Sequence, residues 1–312
     1  MTTRLPTVLV TGAAGAMAQQ VINRLQGRCR LVVCDARREV SMPEDIPSYH
    51  VDFRKRAFED LFREYRFDGV IHLGRVGPHE YSREGRYTTN VTGSQRLLDL
   101  ALEYGVRQTL ILSTYFVYGA HPLNPAFLTE SAPLKAAGIT LDLVDSVELE
   151  NLATIRLWKH PELHITILRP CNIVGPGVNN TMSQLLMQDR VPVLAGFSPL
   201  MQFIHLEDMA DAIVLAYEKN HPGVYNVAPD DCVPYQKAVR LCGCRRQVIP
   251  SYPEHLPELL GRLRGRPFFP PHLINFFKYA ATIDGSLFGK TFDFQPRYGL
   301  EDIFAHYRNL KS

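Results

Sequence analysis

The chain has 312 residues, 46% of them hydrophobic and 21% charged, with a formal net charge of +2. That much apolar material fills one large domain or two unequal ones and excludes a disordered chain. The basic clusters Arg54-Lys55-Arg56 and Arg262 to Arg266 are local solvated faces, which argues against a nucleic-acid partner, and no apolar run is long enough to span a bilayer.

The first predicted element is Thr7-Val8-Leu9-Val10, a short β-branched run with the character of a buried parallel strand. A turn of small residues, Gly12 to Ala18, follows, and then a helix over Gln19 to Leu25 with Val21, Ile22 and Leu25 at helical spacing. Leu31-Val32-Val33-Cys34 is a second buried strand ending at Asp35. Strand, turn, helix, strand and acid occur in the order of a dinucleotide-binding unit. Gly12 lets the chain reverse and Gly15 lets main chain approach a pyrophosphate. Ala14, Ala16 and Met17 line the turn at the positive end of the helix, and Ala18 lets helix and strand pack closely. Asp35 is placed to accept ribose hydroxyls and repels a 2′-phosphate, which favours NAD. Arg37 and Arg38 follow at once and offer that phosphate a partner, so NADP stays open.

Beyond a polar loop, His50-Val51-Asp52 predicts a short strand, with Asp52 and Phe53 where an adenine ring would rest. Phe58, Leu61, Phe62 and Tyr65 form a helical core stripe. Gly69 to Arg75 predicts a fourth buried strand running into a glycine turn, with Leu73 and Gly74 at the cofactor. The next loop, Val76 to Arg86, carries His79, Glu80 and Tyr81 toward substrate, because loops at the carboxyl ends of parallel strands line the ligand crevice. A helix is predicted over Asn90 to Tyr104 and a strand over Gln108 to Leu112. Leu141 to Trp158 predicts a long helix with Leu141, Val144, Leu152 and Ile155 inward and Leu143, Leu149 and Trp158 off that stripe. His164 to Leu168 is the next strand, leaving through Arg169 to Gly177.

Strands and helices alternate to about residue 170, so the fold class is α/β, a Rossmann-type doubly wound parallel sheet with a smaller C-terminal lobe. The predicted division is a dinucleotide-binding domain over 1–170, completed by 203–228, and a substrate-binding lobe from 171–202 and 229–312. Phe268, Phe269, Phe276 and Phe277 suit either an apolar ligand or the packing of that lobe. The six cysteines lack metal-ligand spacing, so no metal is expected and the thiols read as reduced, in a cytoplasmic protein without a leader segment.

The chain resembles the extended short-chain dehydrogenase/reductase family, the NAD-dependent epimerase/dehydratase group. Thr11-Gly12-Ala13-Ala14-Gly15 with Ala18, then Asp35 and Asp52, carry the resemblance first. Ile71-His72-Leu73-Gly74 follows, although the family favours Ala-Ala after His-Leu, and then come Asn90-Val91-Thr92-Gly93 and Ser113-Thr114 with Val117-Tyr118-Gly119. Arg169-Pro170 with Asn172 and Gly175-Pro176, Phe203-Ile204-His205 with Asp208, and Tyr225-Asn226-Val227-Ala228 complete it. The resemblance implies NAD, contacts from Asn90, Pro170 and Asn172 to the cofactor, a small-molecule substrate that is often a nucleotide sugar, and a homodimer through the two long helices. Arg262, Arg264 and Arg266 would be candidates to clamp a diphosphate.

The family's chemistry uses a Tyr and a Lys four residues apart on the long helix, on one face, with a nearby hydroxyl that orients the substrate oxygen. Thr114 matches that hydroxyl, and Tyr115 lies beside it. Counting back from Glu150 puts Ser146 at the lysine position and Asp142 at the tyrosine position. A free carboxyl titrates near ~4 and a phenol near ~10, so Asp142 is an anion at neutral pH unless burial raises it. The one Tyr-x-x-x-Lys elsewhere, Tyr307 to Lys311, lies on the C-terminal tail and is discounted. Thr114, Asp142, Ser146 and Tyr115 are therefore the catalytic candidates of a divergent NAD-binding oxidoreductase or epimerase-like enzyme. Two alternatives stand beside it: a dinucleotide-binding sensor or scaffold without turnover, and a non-redox isomerase or cyclase on the same fold.

Overall fold

The structure, a computed structural model, describes residues 4–76, 82–251, 256–263, 265, 269 and 271–311. The expectations placed on His79, Glu80, Tyr81, Arg264, Arg266, Phe268 and the Arg262 side chain fall outside what is described. The first half runs β1 (Thr7–Thr11), α1 (Ala16–Leu25), β2 (Arg30–Asp35), β3 (Ser48–His50), α2 (Arg56–Glu64), β4 (Gly69–His72), α3 (Arg83–Tyr87), α4 (Gly93–Glu103), β5 (Gln108–Leu112), α5 (Ala136–Ile139) and α6 (Val144–Lys159). The second half continues β6 (Ile165–Pro170), β7 (Asn172–Val174), α7 (Thr181–Leu186), β8 (Arg190–Leu194), β9 (Leu200–Met201), β10 (Phe203–His205), α8 (Leu206–Lys219) and β11 (Gly223–Val227).

Seven strands form one parallel sheet in the order β3-β2-β1-β4-β5-β6-β11. Side chains alternate across it, as the strand period requires. Val8, Val10, Val33 and Ile71 pack with residues of α1 and α8 on one face, while Leu9, Val32, Val70 and Ile111 pack with residues of α2 and α4 on the other. The chain winds outward from β1 through β2 to β3, then returns to lay β4 on the opposite side of β1. The strand order thus reverses between β1 and β4, which opens a crevice at the carboxyl ends of those strands.

Several boundaries move. α1 starts at Ala16, so the second half of the small-residue turn is already helix, because Ala and Met are good helix formers. β3 ends at His50, leaving Asp52 and Phe53 in a turn, and β4 ends at His72, leaving Leu73 to Arg75 as loop. The helix expected from Asn90 begins at Arg83, passes through a π-helical turn over Thr88–Thr92 and becomes α4. Such widened turns concentrate at functional sites. A parallel pair, β8 with Arg245–Ile249, occupies a region in which the sequence predicted no strand.

The predicted inward face of α6 is corrected. Leu141 is 64% and Ile155 60% exposed, while Leu143 and Leu149 are buried. The buried face is Asp145, Ser146, Val147, Leu149, Glu150 and Ala153. Hydrophobic periodicity misassigns it because three of the buried residues are polar and meet partners inside. No helix among the described residues is long and apolar enough to cross a membrane.

Candidate functional site

The turn after β1 is built by close main-chain contact. Gly12 has φ +73°, and a Cβ there would lie 2.5 Å from the Gly74 Cα, so both conformation and the β4 exit loop demand glycine. At Gly15 a Cβ would meet only the Gly12 carbonyl oxygen, at 3.3 Å, so packing within the chain makes a much weaker demand for glycine there. Gly15 is also the N-cap of α1 and brings no side-chain cap. The leading N–H groups of that helix lack intrahelical partners, and Ala14 to Met17 remain half-buried at the crevice. The turn therefore fits a dinucleotide: a small-residue approach, free donors and the positive end of a helix.

Asp35 has a further part. It is fully buried, and its carboxylate accepts the N–H of Ala14 at 3.1 Å, Arg37 at 2.8 Å and Arg38 at 3.2 Å. It ties the end of β2 to the glycine turn, a role that its spacing did not predict. Asp52 is held by the Arg54 guanidinium, which keeps its carboxyl below the usual range. Phe53 is core, packed on Phe58 and His72.

The β4 exit is locked from beneath. His72 is buried; its Nδ1 pairs with Thr11 Oγ1 at 2.7 Å and its Nε2 with Ser94 Oγ at 2.8 Å. Burial, and then the charge of Arg75, pull its pKa down to about 4, so the ring is neutral at pH 7. Asn90, in the π-helical turn, is 1% exposed. Its amide donates to the Val76 carbonyl at 3.0 Å and to Asp145 at 2.6 Å, and accepts the Val76 N–H at 2.9 Å. Expected at the cofactor, Asn90 spends its amide clamping the β4 exit loop to α6. Between these fixed points Arg75 donates to Ser146 Oγ at 2.5 Å. Sequence reasoning assigned Arg75 no role. The available signal was an arginine directly after Gly74, where the resembling family favours a small residue.

Thr114 ends the loop after β5 half-buried, its Oγ1 accepting the Phe116 N–H at 3.3 Å. The hydroxyl keeps its own proton to donate. Tyr115 is buried and donates to Asn172 Oδ1 at 3.0 Å, and burial raises its phenol above the ordinary tyrosine range. Asn172 in turn donates to the Gln202 carbonyl at 2.9 Å, and Pro170 is buried at the end of β6. Behind them Glu150 accepts from the Ser113 hydroxyl and from two guanidinium nitrogens of Arg169, the latter at 2.8 and 2.9 Å, and Arg169 reaches Tyr118 at 2.7 Å. These groups form a closed, charge-paired network.

Asp142 is held by α3. Its carboxylate takes Arg83 at 2.8 Å and the buried Arg86 at 3.2 Å, and the Arg83 hydrogen bond, then that from Arg86, hold its carboxyl below the usual range. Burial does not raise it, so Asp142 is the anion at neutral pH that an ordinary carboxyl would be. The discounted pair is structural. Tyr307 bonds Ser183 Oγ and the Gly175 N–H, while Lys311 bonds the carbonyls of Leu186 and Cys242. No cluster of three or more potential metal ligands occurs among the described residues.

The family model described as NAD dependent epimerase/dehydratase family matches residues 8–228. The UDP-glucose 4-epimerase 2 of Arabidopsis thaliana is 28% identical over 257 residues, covering 68% of this chain and 71% of its own. Among solved structures, the Stenotrophomonas maltophila UDP-glucose-4-epimerase with bound NAD and formylated UDP-arabinopyranose has a TM-score of 0.78 at 19% identity, covering 99% of this chain and 98% of that one. The Bacillus anthracis dTDP-glucose 4,6-dehydratase in complex with NAD has a TM-score of 0.76 at 16% identity, covering 98% and 96%.

Proposed function

The chain belongs to the NAD dependent epimerase/dehydratase family, and from that premise we propose that it is an NAD-dependent enzyme of that kind, acting on a nucleotide sugar through an altered proton-handling site. The observation that carries this reading is the half-buried main chain of Ala14 to Met17 at the uncapped start of α1, beside the β4 exit. Ala16 and Met17 would give their N–H groups to the phosphates beside Gly15, whose own N–H is bonded to the Gly12 carbonyl, and the adenosine ribose would lie at the end of β2, where the Asp35 carboxylate is already held by main-chain N–H groups. When bound, NAD supplies a hydride acceptor. The Thr114 hydroxyl, held by the Phe116 N–H, is placed to donate to a substrate oxygen. Tyr115 stays a neutral phenol bonded to Asn172, and Asp142 stays a paired carboxylate, so neither does the work of an activated phenol. The nucleotide-sugar class is supported by what the related epimerases are named for, including those of Arabidopsis thaliana and Caenorhabditis elegans.

The test is to load purified protein with NAD and add UDP-glucose or dTDP-glucose, following NADH fluorescence and the sugar by NMR. Cofactor reduction or an altered sugar is the expected result. Tight NAD binding with no hydride exchange on either sugar would instead favour the sensor or scaffold alternative. We also propose that two copies pair through the outer face of α6, where Ile155 and the 80% exposed Trp158 lie three residues apart.

A further inference from the structure

Arg75 stands in the crevice with most of its hydrogen-bonding capacity unused. A guanidinium has five N–H donors, and its one hydrogen bond among the described residues goes to Ser146 Oγ. Desolvation lowers its pKa against the opposing pull of Asp145 and Glu150. The residue is half-buried, and its remaining donors keep access to the outside, so they are open to acceptors that a ligand in the crevice would bring. Its place is fixed on three sides. Gly74, the preceding residue, is pressed against Gly12; Val76, the following one, is clamped by Asn90; and the side chain rests on α6.

Position assigns the ligand's part. Asp35 closes the end of β2, on one side of the strand-order reversal, while Arg75 leaves β4, on the other. A dinucleotide lying across the reversal puts its adenosine half toward Asp35 and its nicotinamide half toward Arg75. Charge assigns the acceptor. Glu150 is taken by Arg169, whereas Asp145 makes no ion pair among the described residues and favours the charged guanidinium; a carboxylate there opposes a phosphate, so the spare donors suit neutral oxygens better. Ribose hydroxyls are such oxygens.

We propose that Arg75, seated by Ser146 and by the Asn90 clamp, is the positioning residue for the nicotinamide ribose. The proposal rests on the NAD reading above. The test compares NADH with ADP, which covers only the adenosine half, by titration calorimetry on the wild type, Arg75→Gln, Arg75→Lys and Arg75→Gln/Ser146→Lys, with thermal melts monitoring the fold. Arg75→Gln is expected to weaken NADH about tenfold or more and to move ADP less than about twofold, that is, roughly 1.4 kcal/mol confined to one half. Arg75→Lys recovers part of the loss, and Ser146→Lys recovers part of it in the Arg75→Gln background by returning a cation from α6. An equal fall in both affinities, or no fall in either, overturns the assignment. So does an Arg75→Gln variant that spares NADH yet weakens UDP-glucose on the NADH-loaded protein, since the hydroxyls held would then be the substrate's. A wild type that binds neither NADH nor ADP overturns the cofactor reading itself, and this assignment with it.

Discussion

At the residue scale, His72 illustrates how position sets chemistry. In the sequence it is one member of a motif; in the fold it is a neutral ring strung between Thr11 and Ser94, with the positive charge of Arg75 nearby. Its folded pKa lies near 4, below the ordinary 6.5, so the unfolded chain binds more protons between those values. Stability is then complete above about pH 6.5 and declines as pH drops toward 4, by on the order of 3 kcal/mol. Replacing His72 with Asn should flatten that part of a plot of unfolding free energy against pH, measured by urea denaturation. An unchanged slope would show that other groups carry it. Gly12 was readable from its spacing, because a positive-φ turn is a local requirement. Arg75 and Asn90 were not, because their partners lie 71 and 55 residues away.

At the scale of elements, α6 is joined to the β4–α3 segment by polar contacts. Asn90 meets Asp145, Arg75 meets Ser146, and Arg83 and Arg86 meet Asp142 just ahead of the helix. Arg83 is 61% exposed and contributes little, whereas the Arg86 side chain is 4% exposed and would lose an anionic partner at real cost. Asp142→Asn should therefore lower stability at neutral pH by about 1–3 kcal/mol. The depressed carboxyl contributes stability that is present above its unfolded pKa and lost as pH falls through the folded value, so the penalty should shrink below about pH 4. Chemical denaturation at neutral pH and near pH 3 checks both parts. The expectation for α6 itself failed for a reason in the same contacts. A period of apolar residues locates a buried face only when that face is apolar, and here Asp145, Ser146 and Glu150 are buried because other segments supply their partners.

At the scale of the whole molecule, the rotation of α6 also moves the surface on which association would rest. Leu143 and Leu149 are core, and the outward apolar residues are Leu141, Ile155 and Trp158. If copies pair through this face, Ile155→Glu combined with Trp158→Glu should convert a dimer to a monomer in sedimentation velocity without altering the melting temperature by more than a few degrees. A wild-type monomer, or a dimer indifferent to both changes, would remove α6 from consideration.

The sequence by itself determined the parallel sheet, the family and the first turn. Each is written in short-range signals: β-branched runs of four or five residues, the small residues between Gly12 and Ala18, and the order of motifs along the chain. It also revealed that the long helix lacks a tyrosine and a lysine at the expected spacing. Only the tertiary structure decided what surrounds Asp142 and Ser146. Asp142 is bound by two arginines of α3, and Ser146 receives a guanidinium from the end of β4. Hydrogen bonds between segments separated by dozens of residues leave no periodicity in the sequence, so they become visible only when the sheet brings those segments together.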